Sequence, residues 1–418
     1  MGEVLELSER AWNGDLGEIN VHPGRVLVGF EEFDSGLGFM SAFSNVCVIA
    51  TDDGLVFIDT SSFFHAAQFF EQVRAWSTER VHTAVYTHGH VDHVFGLAPF
   101  EEEAASKGWQ TTEVIAHECC PARFDRYLLT NGYNGIINAR QFDFPKPMFP
   151  KEYRYPDRTM RDVLSLEIGG ETIELRHDKG ETDDHVWAWL PAKKTLYTGD
   201  LFIWASPNCG NPQKVQRYPR EWAAGLRAMQ ELGAERLFPG HGPPIIGADR
   251  VNQALGDSAQ LLETLCEQTL EMMNAGARLN DILHSIELPE RLLARPYLRP
   301  IYDDPLFIVP NLWRLYGGWY DGNPAHLKPA RDAVLSQALA ALCGGAKSLA
   351  ESAEEHLASG DFDVACHLAE HAFQAAPEDR RVREIHSSVF RARANHETSL
   401  MAKGIYNAAA RDSDDAKE

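Results

Sequence analysis

The sequence predicts an α/β domain built as an αββα sandwich, followed by an all-α helical domain. Two observations predict this. Short apolar runs alternate with helical stretches in two comparable halves, which suggests two sheets covered by helices. From about residue 248 helical patterns take over, and beyond Asn323-Pro324 the chain is Ala-rich to its end.

In chain order, Arg25 to Phe30 is a short apolar run. Asn45 to Ala50 and Leu55 to Asp59 flank Thr51-Asp52-Asp53-Gly54, an Asp-Gly hairpin signal. His65 to Trp76 has helical spacing, with Phe69, Val73 and Trp76 on one stripe. Val81 to Tyr86 is a strand that runs into Thr87-His88-Gly89-His90-Val91-Asp92-His93. Val114 to Ala116 and a helical stretch after Pro121 continue the alternation, while residues 121–160 as a whole read as a long loop or lid. Leu164 to Leu175 forms a hairpin about Gly169-Gly170, and Val186 to Leu190 and Thr195 to Thr198 are further strands. Glu231 to Phe238 leads into Pro239-Gly240-His241-Gly242. Prolines 289, 296, 300, 305 and 310 punctuate an irregular connector, residues 353–376 form one tetratricopeptide-like hairpin, and the acidic tail from Asp412 is expected to fray.

A chain of 418 residues accommodates two or three domains. Its 61 acidic against 39 basic residues give a formal charge of −22, which repels nucleic acid and anionic membrane surfaces. No apolar run reaches the ~18 residues of a membrane span, and the N-terminus lacks a signal-peptide pattern. Seven scattered cysteines without CxxC read as reduced thiols in a cytoplasmic protein.

His88, His90, Asp92 and His93 place four ligand-type side chains in six residues directly after a strand. Imidazoles and a carboxylate suit zinc, and this spacing aims side chains at two centres. These residues resemble the metallo-β-lactamase signature. Asp59 matches that family's structural aspartate, Gly180-Glu181-Thr182 stands where it reads Gly-His-Thr, Asp200 matches its bridging aspartate, and His241 matches its last ligand. Glu181 and Gly317-Gly318-Trp319-Tyr320-Asp321-Gly322-Asn323-Pro324-Ala325 resemble the alkylsulfatase branch, as does the helical segment over about 326–410.

The resemblance implies a metallo-β-lactamase-like catalytic domain over 1–255, a connector over 256–325 and a helical dimerisation domain over 326–418. It implies two zinc ions per chain. One sits on His88, His90 and Glu181, the other on Asp92, His93 and His241, with Asp200 between them and Asp92 and Asp200 as catalytic carboxylates. Ions ~3.5–4 Å apart hold a bridging hydroxide and clamp a tetrahedral anion. The implied function is hydrolysis of a small-molecule sulfate ester by a homodimer. Carboxylic ester, lactone or thioester hydrolysis on the same fold, a mononuclear iron oxygenase and a non-catalytic scaffold are the alternatives. His185 is the alternative third ligand or a substrate contact, and Lys214 and Arg217 are candidate oxyanion contacts. Three features depart from the branch: Asp200 replaces its bridging glutamate, Val309-Pro310-Asn311 lacks the histidine of its His-Asn pair, and its sterol-carrier-like domain is expected to be missing because the chain stops at 418. His177 reads as a strand-end residue and the histidines after 350 as packing or surface residues. Trp313, Trp319 and Tyr320 read as interdomain packing.

Overall fold

The structure is a computed structural model that describes residues 2–15 and 28–415. Two sheets lie at its centre. The first runs Gly29–Asp34, Leu37–Ser41, Val46–Thr51, Gly54–Ile58, Val81–Val85, Glu113–His117, Arg158–Met160 in both sequence and space. Its first four strands pair antiparallel and the rest parallel. The second runs Ile245–Ile246, Arg236–His241, Thr195–Ile203, Val186–Leu190, Glu171–His177, Val163–Ile168 across its width. Side-chain alternation explains the stacking. Val56 and Ile58 of one sheet and Val186, Ala188 and Leu190 of the other fill the layer between them. Trp187 and Trp189 point the other way, into a second layer with Trp222, Leu255, Leu262 and Leu265. On the far side of the first sheet Phe57 packs against Phe69 and Phe100 at centroid distances of 5.1 and 4.9 Å. This is the expected αββα sandwich, with helical structure after it.

The stretch 121–160 departs from the expected lid. It holds helices Cys120–Leu129 and Asn131–Phe142, although Asn131-Gly132-Tyr133-Asn134-Gly135 has low helix propensity and only packing stabilises it. An unanticipated helix, Glu3–Trp12, buries Val4, Leu7 and Ala11, a spacing of three and four. Of the first apolar run, Arg25 to Leu27 lie outside the described residues, and the strand starts at Gly29. The tail is ordered further than expected. Helix Leu400–Asp415 continues through it, with Ser413 Oγ 2.5 Å from His386 Nδ1 and Asp414 paired to Arg391.

The chain forms two compact units, divided otherwise than at 255 and 325. One takes the chain up to Asn131 and Pro150–Gly318, the other Gly132–Phe149 and everything from Trp319. The connector joins the first unit because helix Ala248–Asn274 and Leu292, Tyr297, Leu298, Ile308 and Leu312 share the core of Trp187 and Trp222. In the second unit Leu349, Ala353, Ala369, Val382, Ile385 and Val389 form their own core. Leu357, Leu368 and Phe373 pack against it, so most of the apolar side chains of the helical hairpin are covered within the unit, while Val364 is exposed. Apolar side chains are left exposed on helix Asp332–Leu342, at Val334, Leu335 and Leu342, as well as in the segment Gly132–Phe149. Trp319 is exposed rather than packed. No single helix among the described residues is long and apolar enough to cross a membrane.

Candidate metal centre

Strands Gly54–Ile58 and Val81–Val85 run parallel and end side by side, and the residues after each make the site. Asp59 takes a left-handed conformation (φ 63°) that turns its carboxylate under the next loop. Its Oδ1 accepts the Thr87 amide at 2.7 Å, and its Oδ2 accepts the Thr87 hydroxyl at 2.8 Å and lies 2.8 Å from His93 Nδ1. His93 Nε2 is thereby directed away from Asp59. Thr87 Oγ1 is 3.0 Å from His88 Nδ1, which turns His88 Nε2 the same way. Gly89 must lack a side chain, because a Cβ would come within 2.9 Å of Arg123 Cδ and 3.2 Å of Asp184 Oδ2. Its amide donates to Asp184 Oδ2 at 2.9 Å, and Arg123 Nε donates to Asp184 Oδ1 at 2.9 Å. A buried ion pair thus clamps the His88–His90 turn.

Two ligand groups result. His88, His90, Glu181 and Asp200 form one and Asp92, His93 and His241 the other, with the ligand atoms of each group within 4.8 Å of one another. Glu181 Oε2 is 3.2 Å from His90 Nδ1 and 3.5 Å from His88 Nε2. Asp200 faces both groups: Oδ2 lies 3.8 Å from His88 Nε2, while Oδ1 lies 3.3 Å from both His93 Nε2 and His241 Nε2. Gly240 is required beside it, since a Cβ there would collide with Asp200 Oδ1. His241 Nδ1 contacts the Phe43 carbonyl, and Ser44 Oγ donates to Asp92 Oδ2 at 2.7 Å. His93 Nε2, Glu181 Oε2 and Asp200 Oδ1 are buried without a hydrogen-bond partner. Buried polar atoms are ordinarily satisfied, so three such atoms converging on one space fit a cation. Burial pushes His90 down to about 4, with Glu181 pulling the other way. A neutral imidazole is the form that binds metal. Burial works against the charged form of His93 too, but Asp200, Asp59 and Asp92 hold it well above the usual histidine range.

Residues 42–241 match the metallo-beta-lactamase superfamily, and residues 278–415 match the alkyl sulfatase dimerisation family. The chain thus carries a metallo-β-lactamase domain. Its helical part is of the alkylsulfatase dimerisation type. A linear primary-alkylsulfatase from a Pseudomonas species is 25% identical over 370 residues, which cover 82% of this chain and 69% of the relative. An (R)-specific secondary-alkylsulfatase from Pseudomonas is 25% identical over 370 residues and 56% of its length. A yeast alkyl/aryl-sulfatase (Saccharomyces cerevisiae) is 23% identical over 373 residues and 57% of its length. The chain therefore spans between just over half and about two thirds of these relatives. The solved stereoselective inverting sec-alkylsulfatase Pisa1 from Pseudomonas shares the fold with a TM-score of 0.84, 22% identity, 93% coverage of this chain and 66% of that one.

In this metallo-β-lactamase domain the ligand-type residues named from the sequence come together, and the other three expected site residues divide. His185 stands behind the cluster. Its Nε2 accepts the Asp200 amide at 3.1 Å and its ring stacks on His88 at 5.0 Å, so Glu181 is the residue that reaches the first group. Arg217 is buried with its guanidinium on Glu181 and on the Asn208 carbonyl (2.6 Å), so it holds a ligand where an anion contact was expected. Lys214 is half-buried. Burial and Arg217 push it down to about 8, while Glu181 and Asp92 pull it up, which puts it in the field of both groups.

Sequence reasoning missed Asn45, Asn208, Arg123, Asp184 and Tyr302. Asn208 Nδ2 donates to Glu181 Oε1. Burial, then Asp92, Glu181 and Asp200, hold the Tyr302 phenol well above its usual range, so it stays protonated beside the carboxylates. The connector reaches the loops that carry these residues. Ser206 Oγ donates to the Asp303 carbonyl at 3.1 Å, and the Asn311 amide bonds the Arg217 carbonyl at 3.0 Å. None of these has a local signal. Only Asn208, near a proline and a glycine in a loop after Asp200, sat where a site residue could have been sought.

Proposed function

We propose that this protein is a metal-dependent hydrolase of small-molecule sulfate esters, with two zinc ions per chain. The observation that carries the reading is the division of Asp200, whose two oxygens face different ligand groups at 3.3–3.8 Å. His88, His90 and Glu181 would hold one ion, Asp92, His93 and His241 the other, and Asp200 both. Two dications there supply Lewis acidity and water of near-neutral pKa, and locally reverse the repulsion of a −22 chain for an anionic ester.

The side chains of Asp92 and His90 keep 23% and 19% exposure, against 8% or less for the other ligands, so water and substrate enter on that side. Asp92, held by Ser44 on one oxygen, is the carboxylate suited to orient water and take its proton, while Asp200 would hold the two ions on either side of that water. Lys214 and the protonated Tyr302 are the donors suited to an anionic ester group. The relatives named alkylsulfatases, aligned over 82% of the chain, support sulfate as that group. The exposed apolar face of helix Asp332–Leu342 supports a homodimer.

A carboxylic ester, lactone or thioester hydrolase is the second reading. It is favoured by Pro310, which stands where the alkylsulfatase branch has a histidine, while Asn311 is turned to Arg217. Two ligand groups weigh against a single iron or a scaffold. The test is a screen of chromogenic sulfate, phosphate, carboxyl and thioesters on zinc-loaded protein, with metal content measured alongside. About two zinc per chain and turnover of the sulfate ester are expected. Turnover confined to carboxyl or thioesters would replace the substrate, and one iron per chain would replace the reaction.

A further inference from the structure

The two ligand groups carry unequal charge, and much of the inequality lies behind the ligands. Behind Glu181 stands a cation: the Arg217 guanidinium and Asn208 Nδ2 both hold Oε1, with Arg217 at 2% exposure and Asn208 at 6%. Behind His93 stands an anion, Asp59 Oδ2, at 2.8 Å and fully buried. The second group contains a carboxylate of its own, Asp92, which accepts a hydrogen bond from a neutral hydroxyl at 2.7 Å and faces no guanidinium or ammonium ion pair among the described residues. Glu181 and Arg217 cancel, whereas Asp92 and Asp59 add. The other nearby charges do not reverse this. Asp200 is shared, and Lys214 lies in the field of Glu181 and Asp92 alike. Arg123 cancels the buried Asp184, and its second carboxylate, Asp183, is 45% exposed and screened by water, so the first side keeps at most one net negative charge against two on the second.

We propose that the two half-sites load in order. The Asp92–His93–His241 half-site binds metal tightly, the His88–His90–Glu181 half-site binds it loosely, and Arg217 is the residue that weakens the second of these. A guanidinium on Oε1 draws the charge of Glu181 away from Oε2 and repels an arriving dication. A carboxylate on the far nitrogen of His93 does the opposite, raising the basicity of the imidazole. Asn208 keeps Glu181 oriented, so Arg217 acts on the strength of the site more than on its shape. Full occupancy then follows the free zinc concentration, and the protein is half-loaded when zinc is scarce. The inference rests on the proposed dinuclear centre.

The test uses the full chain saturated with zinc and titrated with a chelator while bound metal is counted. Two-step release is expected, with midpoints separated by about tenfold or more. His90→Ala should keep one ion to the tighter midpoint, whereas His241→Ala should release its metal by the looser one. Arg217→Gln removes the charge and keeps an amide for Glu181, so it should move the looser midpoint towards the tighter one and leave the latter in place. Arg217→Lys should stay near the unmodified protein. Release in one step, equal retention by the two histidine variants, or easier loss of the first ion from Arg217→Gln would each overturn the ordering. If Arg217→Gln fails to fold, the histidine pair still decides. Fewer than two ions at saturation would instead defeat the dinuclear reading on which the ordering rests.

Discussion

Asn45→Ala should cost about 3 kcal/mol of folding stability, because three buried backbone groups lose their partner at about 1 kcal/mol each. Asn45 is fully buried. Its Oδ1 accepts the Ala42 amide at 3.1 Å, and its Nδ2 donates to the carbonyls of Pro239 at 2.9 Å and Gly242 at 2.8 Å. The last two bracket His241, and the intervening Gly240 carbonyl accepts the Asn45 amide at 2.8 Å. This one side chain therefore ties the first sheet to the turn that presents a metal ligand. Urea unfolding of the metal-free protein should show a lower midpoint with an unchanged slope. In excess zinc the deficit should grow by about 1.4 kcal/mol for each tenfold loss of affinity, since ligand binding stabilises only the folded chain. A deficit below about 1 kcal/mol, or one that zinc leaves unchanged, would refute the reasoning.

Three further outcomes are expected. Under the same chelator challenge Glu181→Ala should lose more metal than His185→Ala, and the reverse order would make His185 the ligand. Asp303 is fully buried, with Oδ2 accepting the Gly210 amide at 2.9 Å and Oδ1 unpartnered, and burial pushes it up to about 7. The folded chain thus holds a proton that the unfolded one releases near pH 4, so this carboxyl costs stability progressively from about pH 4 to 7. Asp303→Asn should then gain on the unmodified protein as thermal unfolding moves from pH 5 to 8, and a pH-independent difference would exclude this. Leu335→Glu with Leu342→Glu, at 45% and 85% exposure, should convert a particle of about twice 46.7 kDa into a monomer by light scattering, with the helical content retained by circular dichroism and the melting temperature no longer dependent on protein concentration. A monomeric unmodified chain would refute the dimer.

The legible parts of the site were those fixed within a few residues of a strand end. His88 to His93 share one loop, Asp59 and His241 lie at or just beyond the end of a strand, and Asp200 lies within three residues of one, so spacing alone marks them. Asn45, Arg123, Asp184 and Asn208 act on backbone or on a ligand from 27 to 197 residues away, and no local pattern encodes such pairings. Arg217 shows the limit differently. Its charge and position suggested an anion contact, but only the fold shows that Glu181 takes that charge first. The fold reads in the same way. Strands declared themselves as short apolar runs between turn signals, whereas helix Asn131–Phe142 contradicts its own asparagines and glycines and depends on packing.

That helix carries a consequence for synthesis. It begins where the chain leaves the first unit, and the segment returns at Pro150. Its partners come from the other end of the sequence: Gly404 sits so close to the Arg140 and Gln141 carbonyls that a Cβ would not fit, and Arg411 pairs with Asp143. On the ribosome Gly132–Phe149 must therefore wait for more than 250 further residues, on the order of ten seconds or longer at ~5–20 residues per second. Through that interval Ile137, buried in the finished unit, lacks the partners that cover it, beside Tyr133, Ile136, Phe144 and Met148, which stay exposed throughout. A stalled or shortened product that lacks the last helix would leave Ile137 uncovered.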